Sequence, residues 1–224
     1  MSLAVKAPCG LVARARGRRH ACRASAPTLY GSPGSRSPLV NWYCHEIGLD
    51  VRARAPNDPS NPHPFGQVPA LEDDGLTVFE SGAILMYLAD AYGGMDDAKK
   101  RAEAAAWVVW ANATLDGVLF IENERGGVVD TGAKNPNQKR LRRLDDILRE
   151  REFLVGDAWG VADCAVAAYL LYVPQFFPRV SWAPYPNIAR YMGRNCARDA
   201  YARAFGADVR ARVVDKLERD LASR

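Results

Sequence analysis

Apolar residues recur along this chain with two different periods, and the switch between them divides it. Thr28-Leu29-Tyr30 is short and β-prone, and Gly31-Ser32-Pro33-Gly34 stops it. From Ser35, Leu39, Trp42, Tyr43 and Ile47 fall near a 3.6-residue repeat and Gly48 supplies a C-cap, which predicts a helix. A second strand is expected over 50–54. Pro56, Pro59, Pro62 and Pro64 then exclude any helix longer than a turn. The runs 68–71 and 76–79 flank Asp73-Asp74-Gly75, a hairpin signal. Ile84, Leu85, Tyr87 and Leu88 mark a helix from Ser81 to the vicinity of Gly93-Gly94.

From Asp96 onward the helical period takes over. Helices are expected over 98–124, with Trp107, Trp110 and Leu115 on one side, and over 137–151, with Leu141, Leu144 and Leu148 spaced by three and four. Further helices are expected over 161–173, 187–198 and 208–222. Strands first and helices afterwards predict an α+β domain with a four-stranded mixed sheet over 27–93, followed by an all-α helical bundle over 97–224. The longest apolar run, 161–177, carries Asp163 and is broken by Pro174, so it reads as a buried helix rather than a membrane span.

Charge changes the picture only at the start. The formal net charge is +4. Residues 1–26 hold six basic side chains (Lys6, Arg14, Arg16, Arg18, Arg19 and Arg23) and no acid, and the rest holds 24 Lys and Arg against 26 Asp and Glu. A faintly acidic body removes the electrostatic case for a nucleic-acid partner. The Arg- and Ala-rich, acid-free segment 1–26 reads as an organelle transit peptide, for the chloroplast or alternatively the mitochondrion. Cys44, Cys164 and Cys196 remain in the body without C-x-x-C or clustered His/Cys spacing, which supports neither a dithiol redox site nor a metal site.

A strand, a turn carrying hydroxyls, a helix, Val-Pro opening a hairpin and Glu-Ser opening the next helix form a specific succession. The run from Pro64 to Asp90, PFGQVPALEDDGLTVFESGAILMYLAD, resembles the glutathione transferase superfamily, as does FLVGDAWGVAD from Phe153 to Asp163. Within it, Ser35-Arg36-Ser37 and Val40-Asn41-Trp42-Tyr43 look most like the cyanobacterial chi-class-like members. The resemblance implies a thioredoxin-like first domain, glutathione as co-substrate with no other cofactor, a small electrophilic or apolar second substrate, and a homodimer. It implies a cis Val68–Pro69 bond that turns the Val68 backbone toward the cysteinyl part of glutathione, like one added strand.

The same resemblance places the γ-glutamyl end at Gln67, Glu80 and Ser81, where a helix N-terminus attracts a carboxylate and Glu80 can face the ammonium. The residue-level alternative is simple N-capping by Ser81. Catalysis in this family means holding the glutathione sulfur as a thiolate. Lowering a thiol pKa by about two units takes about 2.7 kcal/mol, within the ~1.5–3 kcal/mol of one hydrogen bond to a charged group. Ser35 stands where serine-type transferases carry their hydroxyl, and Arg36 is a second candidate for the same task. In the rival reading Ser35 is only an N-cap, with Ser32 or Tyr30 doing the work. Trp107 and Trp110, with Asn112 and Tyr30, are candidates for the co-substrate pocket. His63 reads as a loop histidine, and Asp163 as a buried helix-start acid with a folding role.

Two functions compete on this reading. The first is a glutathione transferase that conjugates glutathione to small electrophiles. The second is a non-catalytic ligand-binding or protein-interaction protein on the same fold, favoured by the short stretch between the second and third strands. A disulfide reductase is disfavoured because Arg36 stands where a nucleophilic cysteine is needed.

Overall fold

The computed structural model describes residues 25–223. The segment read as a transit peptide, 1–26, lies outside the described residues except for its last two. The first domain runs β1 (Thr28–Tyr30), α1 (Ser37–Glu46), β2 (Arg52–Arg54), β3 (Ala70–Asp73), β4 (Leu76–Phe79) and α2 (Ser81–Ala91). Its sheet has the order β2-β1-β3-β4, with β1 parallel to β2 and antiparallel to β3, and β3 antiparallel to β4. This is the thioredoxin-like arrangement with a mixed four-stranded sheet. Because β2 and β3 both flank β1, the proline-rich link of 55–69 crosses a single strand and needs no helix. Asp74 and Gly75 both hold positive φ, +49° and +79°, as the tight hairpin turn demands. Asp73, beside that turn, accepts the hydroxyls of Tyr87 and Tyr92 at 2.6 Å each, which ties the hairpin to α2.

The helical domain contains α3 (Ala98–Trp110), α4 (Asp116–Leu119), α5 (Lys139–Glu150), α6 (Val161–Phe176), α7 (Pro186–Cys196), α8 (Asp199–Phe205) and α9 (Ala207–Ala222). Three boundaries differ from the periodicity. The helix expected over 98–124 passes through a π-helical turn at Ala111–Leu115 and ends at Leu119, where β5 (Ile121–Glu122) pairs with β6 (Val128–Asp130). The Asn123 side chain accepts the N–H groups of Arg125 and Gly127, and Gly126 holds φ +74°, so a side-chain-capped turn outcompetes helix propagation there. The expected helix over 187–198 is α7 and ends at Cys196, and α8, a helix the periodicity does not give, follows it from Asp199. Pro174 does not end α6, which continues to Phe176; so near the C-terminus, it removes a single hydrogen bond from a helix already packed on all sides.

That central helix organises the core, with every residue from Val161 to Pro174 buried. Asp163 sits in its first turn with one oxygen accepting Leu154 N–H (3.0 Å) and Tyr191 O–H (2.8 Å) and the other accepting Gly160 N–H (3.1 Å). The acid therefore closes the loop that precedes α6 and satisfies the helix's own entry, as its position implies. Among the described residues no helix is long and apolar enough to cross a membrane.

Cys44, Cys164 and Cys196 are free thiols in the core. Burial raises all three, Cys44 to about 12 and Cys196 to about 11. At pH 8 almost none of their sulfur is thiolate, the reactive form. Alkylation with iodoacetamide followed by peptide mass mapping is expected to leave all three unlabelled in the native protein and to label all three in urea. Labelling of any of them in the native state would contradict this burial.

Candidate functional site

The register of the sheet brings together what the sequence scatters over more than fifty residues. Tyr30 lies opposite Ala70, and Ala70 opposite Phe79, so the end of β1, the start of β3 and the end of β4 form one row. At about 4.8 Å per strand, the row is about 10 Å wide. The loop carrying Ser35 leaves it after Tyr30, Val68-Pro69 enters it before Ala70, and Glu80-Ser81 leave it after Phe79. Since β1 and β4 point the same way, α1 and α2 also start at this end. Helix dipoles at this end favour a negative group there.

Each segment is shaped for its place. A Cβ on Gly31 would lie 2.2 Å from Ser37 Oγ, so only glycine admits the tight turn that follows β1. Within this turn the Ser35 hydroxyl donates to Ser32 C=O (2.9 Å), lies 2.6 Å from Ser37 Oγ, and accepts Ser37 N–H at 3.0 Å. Arg36, not Ser35, occupies the N-cap position of α1, while the Ser35 hydroxyl holds the first helical N–H. Val68 is half-buried before a cis bond to Pro69. It precedes the β3 ladder, while Gln67 beside it is exposed and its carbonyl accepts Asn61 Nδ2 at 3.1 Å.

Glu80 is exposed and adopts φ +67°, ψ +123° at the entry to α2. A non-glycine residue in this region costs about 1–3 kcal/mol and persists where its surroundings impose it, commonly at a ligand clamp. Ser81 does not cap α2. Its buried hydroxyl instead donates to Asn112 Oδ1 (3.0 Å), which also receives the Tyr169 hydroxyl at 3.0 Å. What α2 offers an anion is thus its backbone N–H groups rather than the Ser81 O–H.

The helical domain reaches into the same region. The Arg36 guanidinium forms an ion pair with Asp116 and lies 4.9 Å from the ring centroids of Phe120 and Tyr169 and 5.2 Å from that of Tyr172. Burial opposes its charge, but Tyr169 and Asp116 outweigh burial and hold it fully protonated. Tyr172 O–H donates to the Ser35 carbonyl at 3.2 Å, so the loop is held from both domains. Phe176, 55% exposed, meets Phe120 edge to face and lies tilted against Tyr172. Burial pushes the Tyr172 and Tyr169 phenols up, which keeps both neutral.

Other sequence candidates sit elsewhere. Tyr30 is buried, and its hydroxyl faces Ser60 (3.1 Å) and Glu72 (3.3 Å), so it does not line an open pocket. Trp107 and Trp110 pack edge to face against each other on α3, half-buried. His63 is a buried loop histidine whose Nδ1 accepts Phe65 N–H at 3.1 Å. Sequence reasoning missed Asp116, Phe120, Tyr169, Tyr172 and Phe176. The available signal was two tyrosines three apart within an otherwise aliphatic run, and the acid that opens α4.

Comparison with known proteins is consistent along the chain. Residues 25–90 match the family described as glutathione S-transferase, N-terminal domain, and residues 128–199 match glutathione S-transferase, C-terminal domain. The chain is 33% identical over 154 residues to glutathione S-transferase GstB of Escherichia coli, covering 62% of this chain and 73% of that protein. It is 32% identical over 185 residues to glutathione S-transferase F14 of Arabidopsis thaliana, covering 74% and 70%. Among solved structures, a glutathione transferase of Burkholderia graminis, with two glutathione molecules bound per subunit, superposes with a TM-score of 0.65 at 25% identity, covering 81% of this chain and 88% of that one.

Proposed function

The chain belongs to the glutathione S-transferase family and is a glutathione transferase; we propose that it holds glutathione along Val68 and conjugates it, as thiolate, to small electrophiles. The observation that carries this reading is the row Tyr30–Ala70–Phe79, which sets a hydroxyl-bearing turn, an unladdered backbone and two helix N-termini around one short groove. In it the cysteinyl part of glutathione pairs with the Val68 main chain. The γ-glutamyl carboxylate meets the first N–H groups of α2, and Glu80, with Gln67, faces the ammonium. The sulfur then falls toward Ser35, whose O–H turns from the Ser32 carbonyl to the thiolate. We assign the electrophile to the side where Phe120, Tyr172 and Phe176 surround Arg36, in place of Trp107 and Trp110.

Glu80→Gln removes one charge without changing the backbone demand, so glutathione affinity is expected to fall about 10- to 150-fold, the range of one charge-assisted hydrogen bond. Titration calorimetry measures it. An unchanged affinity removes Glu80 from the site, and failure of the wild-type chain to bind glutathione-agarose removes the enzyme reading.

The reading as a non-catalytic carrier draws on one observation. Ser35, Arg36 and Ser81 all engage polar partners of the protein itself. A protein retained on glutathione-agarose but inert toward aryl halides would favour it. The finer affiliation we propose is with the chi-class-like members, on Ser35-Arg36-Ser37 and Val40-Asn41-Trp42-Tyr43. Plastid import, with the mitochondrion as alternative, rests on the basic segment 1–26, and a detoxification role follows from the electrophile reading. A homodimer is supported by Phe65 and Phe79, 76% and 38% exposed on either side of the His63 ring.

A further inference from the structure

A cleft separate from the groove at Val68 opens elsewhere among the described residues. It measures about 560 Å³ and lies between the two domains at the far end of α1, where that helix meets the linker into α3 and the loop before α6. It shares no residue with Ser35, Val68, Glu80 or Ser81. Ten helical residues separate the two ends of α1, about 15 Å. Its size and interdomain position are those of small-molecule sites.

Its floor is apolar and aromatic, with Tyr43, Ile47, Ala104 and Val161, and Trp159 forms a wall. Glu46 and Arg198 also line it, but they neutralise each other through a two-pronged pair at 2.6 and 2.8 Å, with the guanidinium laid over Trp159 at 4.6 Å. The rim carries Asp96, Asp97 and Asp157 against Lys100 alone, all exposed. Asp97 uses one oxygen to cap α3 and keeps the other. The mouth is therefore negative over an apolar floor.

One floor group points to a ligand independently of that charge. Tyr43 is only 4% exposed, yet among the described residues its hydroxyl has no hydrogen-bond partner. The oxygen is not sealed in the core: it faces the cleft beside Gly93, where a Cβ would come within 2.6 Å of it. With no protein partner of its own, this hydroxyl is free to hydrogen-bond a group that enters the cleft. Burial pushes its pKa up, so it stays a neutral hydroxyl able to donate or accept.

We propose that this cleft is a second binding site, for a small organic cation with a flat apolar body. The body lies on Tyr43, Ile47 and Trp159, and the ammonium hydrogen-bonds the Tyr43 oxygen and faces Asp96 and Asp157. Its charge preference is opposite to that of the groove at Val68, which gathers anionic groups at helix N-termini. The two sites therefore select different molecules and fill independently.

The test is calorimetric titration of the full chain with 1-naphthylmethylamine and, as a body of nearly the same shape and opposite charge, 1-naphthoate. The amine is expected to bind once per chain with a dissociation constant on the order of 0.1–1 mM, at least about tenfold tighter than the carboxylate. Tyr43→Phe, which breaks no internal hydrogen bond, should weaken the amine about 3- to 10-fold. The exposed pair Asp96→Asn and Asp157→Asn should erase the preference for amine over carboxylate. Saturating glutathione should change neither value. Equal binding of the two probes, no binding at millimolar amine, displacement by glutathione, or indifference to both the Tyr43 and the paired Asp variants would each overturn the proposal.

Discussion

Replacing Ser35 by alanine is expected to lower turnover about 10- to 100-fold and to shift the alkaline rise of kcat/KM upward by about one to two pH units. Both follow from one lost hydrogen bond to a thiolate, about 1.5–3 kcal/mol. The bound sulfur then titrates nearer to a free thiol, so at neutral pH less of it is ionised. Loss of the bond from Ser37 N–H to Ser35 costs about 1 kcal/mol of stability, leaving the fold intact. Steady-state kinetics across pH 6–9 with an aryl halide makes the measurement. An unaltered profile would transfer the role to Arg36, because the Tyr30 hydroxyl is held by Ser60 and Glu72.

Asp163→Ala is expected to have the largest effect on stability, a loss of about 3–5 kcal/mol. The carboxylate is buried and serves two backbone N–H groups and the Tyr191 hydroxyl. Truncation leaves these donors in the core with no acceptor, at about 1–3 kcal/mol each. Burial tends to raise the carboxyl's pKa and these donors oppose it, so the acid depends on them as they depend on it. Urea denaturation followed by circular dichroism gives the number. A loss below about 1 kcal/mol would mean that the loop of 153–160 closes without the acid.

The first domain was legible because its signals are local. Asp74-Gly75 demands a two-residue turn, the prolines at 56, 59, 62 and 64 forbid a helix, and the spacing from Leu39 to Ile47 suits only one. The groove followed from the motif around Val68, Glu80 and Ser81. Partnership across the chain was not legible. Nothing near Ser81 shows that its hydroxyl reaches Asn112, 31 positions away, because that depends on how α2 lies against α3. Gly82 permits that approach, a Cβ there standing 2.8 Å from Asn112 Nδ2. The same holds for Arg36. Its neighbours Ser35 and Ser37 suggested chemistry at the sulfur, whereas Asp116, 80 positions on, takes its charge. The hairpin after Leu119 escaped notice because Ala-rich helical pattern runs into it, and Asn123 and Gly126 act only once the chain has turned.

Tyr172 bonded to the Ser35 carbonyl and Arg36 bonded to Asp116 together fasten the turn after β1 to the second half of the chain. Recombining this first half with the helical half of another relative would therefore not be a neutral exchange. A chimaera lacking the counterparts of Asp116 and Tyr172 would inherit every motif of the first half and still lose both contacts that hold the Ser35 turn. Selection acting on one half is in this way constrained by the other, even where no substrate touches the seam.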